Sequence, residues 1–194
     1  MRIKIGIICA LIGISSIMFS HSHTVRHHDA HVHGKSDMNI FLDQNNLMIE
    51  VIIPAIDIVG FEHKPRTEKQ KQKIVDSKEF LQDVSNVLAI NPELEYSSFE
   101  ATVVLDYDDK EADKHHKHEH SDFHIKYEYV LNHSRRLDFL RFFRSPRKID
   151  SIKVVLFEKY PSLEEVAVQI ATFDNQSFQK INPNNNEISF RDLY

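Results

Sequence analysis

Two runs of apolar alternation constrain this chain more than anything else in it. Met38, Ile40 and Leu42 alternate with polar or mixed neighbours, and Leu47, Ile49, Val51 and Ile53 do the same. A period of two sends every apolar side chain of a run to one face of a strand. Between the runs sits Asp43-Gln44-Asn45-Asn46, and Asn tolerates the left-handed conformations that tight hairpins require. The segment predicts a β-hairpin.

Pro54 ends the second run, and Ala55 to Pro65 reads as a connector. Thr67-Glu68-Lys69-Gln70 then matches a capping box, in which the Thr67 and Gln70 side chains each satisfy a backbone amide. Ile74, Leu81, Val84 and Leu88 follow at helical spacing, so the pattern predicts a helix over 67–90, stopped by Asn91-Pro92. Phe99, Ala101, Val103 and Leu105 share one face of a third strand; Phe123, Ile125, Tyr127, Tyr129 and Leu131 share one face of a fourth. A short helix is expected over 134–144, with Leu137, Leu140 and Phe143 on one side. Ile152 to Phe157 and Val166-x-Val168-x-Ile170 read as further strands, and Ser177 to Phe190 as one or two short edge strands. These elements predict an α+β fold: a mainly antiparallel β-sheet with one long and one short helix, carrying a His-rich flexible arm and loop.

The first 22 residues read as a signal peptide. Arg2 and Lys4 precede an apolar run from Ile5 to Phe19, and Ser20-His21-Ser22 offers small residues for cleavage before His23, with cleavage after Ser20 as the other option. An uncleaved anchor helix competes with that reading, but a run of about 15 residues is short of the ~20 a membrane span needs. Export would leave an arm over 23–35 and one domain over 36–194. It would also remove two positive charges, taking the formal balance from −5 to −7, together with Cys9, the single cysteine. The exported chain would then have no disulfide, no thiolate ligand and no broad electrostatic attraction for nucleic acid. With only four glycines, no P-loop or dinucleotide fingerprint can be written.

Eleven of the 13 histidines fall into two windows: His21, His23, His27, His28, His31 and His33, then His115, His116, His118, His120 and His124. Imidazole is a common nitrogen ligand of borderline divalent metals, and zinc asks for about four ligands, with nitrogen near 2.0–2.1 Å. In an extended segment His31-x-His33, His116-x-His118 and His118-x-His120 each place two rings on one side. The second window lies in a segment of 17 residues between the third and fourth strands, Asp106 to Asp122, far longer than the usual hairpin loop of about 2–5 residues. A solvated His-rich tract without a role, or an artificial tag, is the bland alternative. Irregular interruption by Ser, Thr, Val, Arg, Asp and Ala behind a natural leader argues against a tag.

His124 lies within a strand, on the face opposite Phe123 and Ile125, where it would anchor a loose loop. His63, on the constrained Gly60-Phe61-Glu62-His63 segment, is a further candidate, a surface histidine being the competing reading. His133 reads as a capping or solvated residue. A nitrogen-rich set without thiolate suits zinc, nickel or copper(II). Arg135, Arg136, Arg141, Arg144, Arg147 and Lys148 with Phe139, Phe142 and Phe143 form a basic patch that suits either a solvated helix face or an acidic partner.

Ala30-His31-Val32-His33-Gly34 leading into a strand is similar to the start of the ZrgA-type periplasmic zinc-binding proteins. Pro54-Ala55, Val59-Gly60-Phe61-Glu62-His63-Lys64-Pro65, Ser121-Asp122-Phe123-His124, Leu156-Phe157, Tyr160-Pro161 and Val166-Ala167-Val168-Gln169 extend the resemblance over most of residues 30–180. It implies a periplasmic protein that binds Zn2+ and assists its uptake alongside an ABC-type zinc importer, and it makes His63 and His124 family-motif positions. Members of this family often carry cysteines near the third and fourth strands. This chain has Tyr96-Ser97-Ser98 and Val130-Leu131-Asn132 there, so no disulfide brace is expected.

The expectation is thus a non-enzymatic zinc binder, accommodating one or more ions, with His31, His33, His63, His115, His116, His118, His120 and His124 as the metal-ligand pool. The alternatives are a general copper, nickel and zinc buffer, or an interaction module docking a transporter. A zinc hydrolase would need three fixed ligands, an open position and a general base. No His-Glu-x-x-His motif occurs.

Overall fold

The structure, a computed structural model, describes residues 32–43, 45–107, 120–132 and 149–193. The expected signal peptide, most of the expected arm including His31, the heart of the His-rich loop with His115, His116 and His118, and the helix expected over 134–144 with its basic patch lie outside the described residues. Among the described residues no helix is long and apolar enough to cross a membrane.

The predicted hairpin is present as β1 (Lys35–Leu42) and β2 (Asn46–Pro54), with Ile40 opposite Ile49 and Leu42 opposite Leu47. Asp43 closes it. Its Oδ1 accepts the backbone N–H of Asn45 and of Asn46, each at 2.6 Å, and the Asn46 amide returns to the same carboxylate. The alternation in both strands puts Met38, Ile40, Leu42, Leu47, Ile49, Val51 and Ile53 in the core, each at most 5% exposed.

Two long strands extend the sheet beyond β2: β4 (Tyr96–Tyr107) and β5 (Ser121–Leu131) pair antiparallel, and β5 lies beside β2. On the other side β7 (Glu165–Thr172) runs parallel to β1, and β8 (Gln176–Ile181) closes that edge antiparallel to β7. The order is β4-β5-β2-β1-β7-β8. The expectation of antiparallel pairing therefore holds for most of the sheet, while β1 and β7 form a parallel pair. Nothing local in either strand announces it: both are half-buried alternating runs, and a parallel partner is chosen by the distant chain path. A second sheet, β3-β6-β9, is built from β3 (Leu88–Asn91), β6 (Ser151–Val154) and β9 (Glu187–Ser189).

The long helix differs from expectation at its end. α2 spans Glu68–Gln82 and starts at the capping box read from the sequence, with Thr67 Oγ1 accepting the Gln70 N–H and Gln70 Oε1 accepting the Thr67 N–H. It stops eight residues short of the expected boundary. Asp83 leaves helical geometry and its carboxylate caps a 3-10 turn over Val84–Asn86. The Asn86 side chain then takes the Phe80 carbonyl, and Leu88 joins β3. Short polar side chains that bond to nearby backbone compete with helix continuation, and here they win over the apolar spacing. Similarly, the strand expected over 152–157 ends at Val154 and gives way to a 3-10 turn at Leu156–Glu158.

Helix α2 packs on the sheet through Ile74, Ser77 and Leu81, and the buried Tyr127 hydroxyl of β5 donates to the Leu81 carbonyl. Burial raises the pKa of Tyr127, so that hydroxyl stays a donor. One long and one short helix on a largely antiparallel sheet is an α+β domain. Among the described residues the short helix is α1 (Ala55–Val59), inside the segment read as a connector; the short helix expected over 134–144 lies outside them.

Candidate metal-binding end of the sheet

The chain path gathers three separate segments at one end of the main sheet. The first is the turn that opens β1. Gly34 adopts φ +79°, and a Cβ there would lie 3.1 Å from both the Ser162 carbonyl oxygen and Glu164 Cγ, so glycine is required on two counts. Its N–H donates to Asp57 Oδ2 at 2.9 Å, and its carbonyl accepts the N–H groups of Glu164 and Glu165. The last residues of the expected arm are therefore tied to the fold, and His33 emerges at a fixed place.

The second segment is the stretch after α1. Pro54 precedes the helix and Gly60, at φ +78°, ends it with its N–H returned to the Ile56 carbonyl, the left-handed cap that glycine favours. That turn sends Phe61, Glu62, His63 and Lys64 across the ends of β4 and β5. The third segment is the start of β5. Ser121 Oγ donates to the Glu62 carbonyl at 2.7 Å, and Lys64 Nζ stands 5.7 Å from the centre of the Tyr107 ring at the end of β4. Tyr107 pairs with Ser121, so the strands remain joined up to the mouth of the His-rich loop, which is shorter than the 17 residues expected.

Glu62 is the hub. Its carboxylate is 13% exposed; Oε2 lies 3.1 Å from His120 Nδ1 and Oε1 lies 3.4 Å from His33 Nε2. One side chain thus joins a histidine of the first window to a histidine of the second. His63, next in sequence, stacks on Phe61 with ring centres 5.2 Å apart, and its Nδ1 donates to the Lys64 carbonyl at 2.8 Å. His124 stands elsewhere, between Ile52 of β2 and Val104 of β4 in register. It is half-buried on the outer face with Lys126 and Glu128, as its alternation predicts, and about 13 Å along the strand from His120.

Asp57 supports this end from below. Burial raises its pKa, opposed by the Gly34 N–H and by His33, while Glu62 and Glu164 push it further up. Glu62 and Asp57 were not among the residues singled out from the sequence. The signal for Glu62 was its place between Phe61 and His63 on a constrained segment. The signal for Asp57 was a lone acid within Ala-Ile-Asp-Ile-Val.

The donor set of His33, His63, His120 and the Glu62 carboxylate is nitrogen and oxygen, which fits a borderline divalent cation such as zinc. Among the described residues no three His, Cys, Asp or Glu side chains are gathered into a metal cage: His33 and His120 face different oxygens of one carboxylate.

The fold and this cluster define an α+β domain with imidazoles and a carboxylate collected at one sheet end. Residues 30–190 match the model of the ZrgA family zinc uptake protein, and the chain belongs to that family. No curated protein matches it.

Proposed function

We propose that this is an extracytoplasmic, non-catalytic zinc-binding protein that captures Zn2+ through its His-rich segments and assists zinc uptake by handing the ion to an ABC-type importer. The observation that carries the proposal is Glu62: a single carboxylate within 3.1 Å of His120 and 3.4 Å of His33. The two histidine windows are thereby neighbours at the sheet end, although His33 and His120 lie 87 positions apart in the chain. Membership of a zinc uptake family supports zinc as the cargo.

The ligand pool is His31, His33, His63, His115, His116, His118, His120 and His124, enough for more than one ion at about four ligands each. A surplus of imidazoles over the needs of one ion suits capture and release better than permanent retention. Ligation needs neutral rings, and imidazole ordinarily titrates near pH 6.5, so zinc affinity should fall steeply below about pH 6.

Zinc titration of the protein lacking residues 1–22 tests the reading directly. Replacing residues 108–119 with a short Gly-Ser linker should lower the number of ions bound and leave the thermal melt unchanged. An exported form that stays empty after dialysis against zinc would overturn the proposal. Binding to an importer's substrate-binding subunit, compared with and without zinc, separates delivery from sequestration.

A further inference from the structure

The two edges of the main sheet are finished differently. At β8 the Gln179 side chain donates to the Ser189 carbonyl at 2.6 Å and accepts the Ser189 N–H at 3.0 Å. The Asn175 side chain donates to the Leu193 carbonyl at 3.3 Å, so residues 189–193 flank that edge. At the other edge lies β4, 12 residues long. From Ser97 to Asp106 its backbone bonds to β5 and to nothing else among the described residues. An edge strand keeps unused N–H and C=O groups on its outer side, and proteins commonly blunt such an edge with proline, lysine or a bulge. Tyr96–Tyr107 contains no proline, lysine or arginine, and its one register shift lies at the start, between Tyr96 and Ser98. Beyond it the strand is regular. Phe99, Ala101 and Leu105 reach the core from this rim only partly buried, and Val104 is 48% exposed on the opposite face.

We propose that β4 is an interaction surface for a second copy of this chain, the two β4 strands pairing antiparallel about a two-fold axis at Thr102. The alternation along the strand favours this occupant and selects its register. Core-facing side chains of both copies stay on one face only when residues of the same parity are set opposite each other. Two such registers use nearly the whole regular stretch Ser98 to Tyr107, one centred on Val103 and one on Thr102. Centred on Val103, the pairing sets Glu100 against Asp106 twice, and like charges directly opposite are destabilising. Centred on Thr102, it sets Glu100 against Val104 and Ser98 against Asp106 on the outer face, with the two Thr102 side chains together. On the inner face Phe99 then meets Leu105 and Ala101 meets Val103, so the half-buried rims of the two cores cover each other. A two-fold contact of this kind uses the same patch on both copies and closes, leaving no free β4 edge. It also sends the two Tyr107–Ser121 tips to opposite poles, about 34 Å apart along the strands, so the pairing needs no metal.

The test uses the chain without residues 1–22, which has no cysteine. Light scattering behind a sizing column, with a metal chelator present, should give twice the monomer mass. Thr102 is exposed, so substitution there should leave the far-UV spectrum unchanged. Thr102→Lys and Thr102→Glu each oppose like charges on the axis, and each should run as a monomer; mixed in equal amounts, they should recover the dimer. Thr102→Cys should cross-link on mild oxidation, because its two copies meet across the axis. Glu100→Cys should not, since its two copies stand about 14 Å apart. A wild type of monomer mass at every concentration would mean that the edge is closed within one chain, and it overturns the proposal. So does a dimer that the chelator dissociates, a dimer that both charged variants keep, or cross-linking at Glu100→Cys without cross-linking at Thr102→Cys.

Discussion

In the middle of the main sheet Ile49 faces Ile40 on one side and Tyr127 on the other, and all three are at most 1% exposed. At the sheet end His33, Glu62 and His120 meet through polar contacts between groups 13–62% exposed. The interior is held by apolar burial, which has no direction and depends on volume. The end is held by a few directional contacts, which add little stability but decide where nitrogen and oxygen atoms point. Stability and metal chemistry are thus separable along the same strands.

That separation can be broken by substitution. Ile49→Ala should cost the most, about 2–5 kcal/mol in urea unfolding, by opening a cavity where the sheet cannot collapse. Zinc stoichiometry of the protein that remains folded should not change; a loss of bound ions would couple the two regions. Asp57→Ala should cost about 1–3 kcal/mol, because the Gly34 N–H loses its acceptor in a buried turn. Unlike the first change it should also weaken zinc binding, measured by chelator competition, since it frees the backbone next to His33. Tyr127→Phe should cost about 0.5–1.5 kcal/mol by removing the donor to the Leu81 carbonyl, with zinc affinity untouched.

The smallest expected effect sharpens the comparison through pH. Burial raises the Asp57 pKa above 3.8, so the native state holds a proton that the unfolded chain releases. Its contribution to stability is complete below about pH 3.8 and is lost as pH rises through the raised native value. Asp57→Asn keeps an acceptor for the Gly34 N–H and removes that titration. Urea midpoints of the two proteins should therefore shift in favour of the substituted one as pH climbs from 3.8 toward neutrality. A gap that moves the other way would mean that attraction to His33 outweighs burial.

The elements that were legible in the sequence are those whose cause is local. The hairpin at 35–54 follows from alternation, the start of α2 from Thr67 and Gln70, and the outward face of His124 from its place between Phe123 and Ile125. The end of α2 was written in Asp83, Ser85 and Asn86, but the apolar spacing of Val84 and Leu88 masked it. The parallel pairing of β1 with β7 joins residues about 130 positions apart, and no local pattern carries that information. The site divides in the same way. His33, His63 and His120 were visible as residue types in a suggestive context. Glu62 became a hub only when the fold laid the segment after Gly60 against the start of β5, 58 positions away.

The pairing of Tyr107 with Ser121 at the tips of β4 and β5 has an evolutionary corollary. Neighbouring strands lie about 5 Å apart, so whatever stretch of chain bridges these tips begins and returns at nearly the same point. Lengthening such a bridge twofold raises its closure entropy by only about 0.6 kcal/mol. Imidazoles can be inserted or deleted there from one descendant to the next, retuning metal capacity while the scaffold beneath keeps its shape.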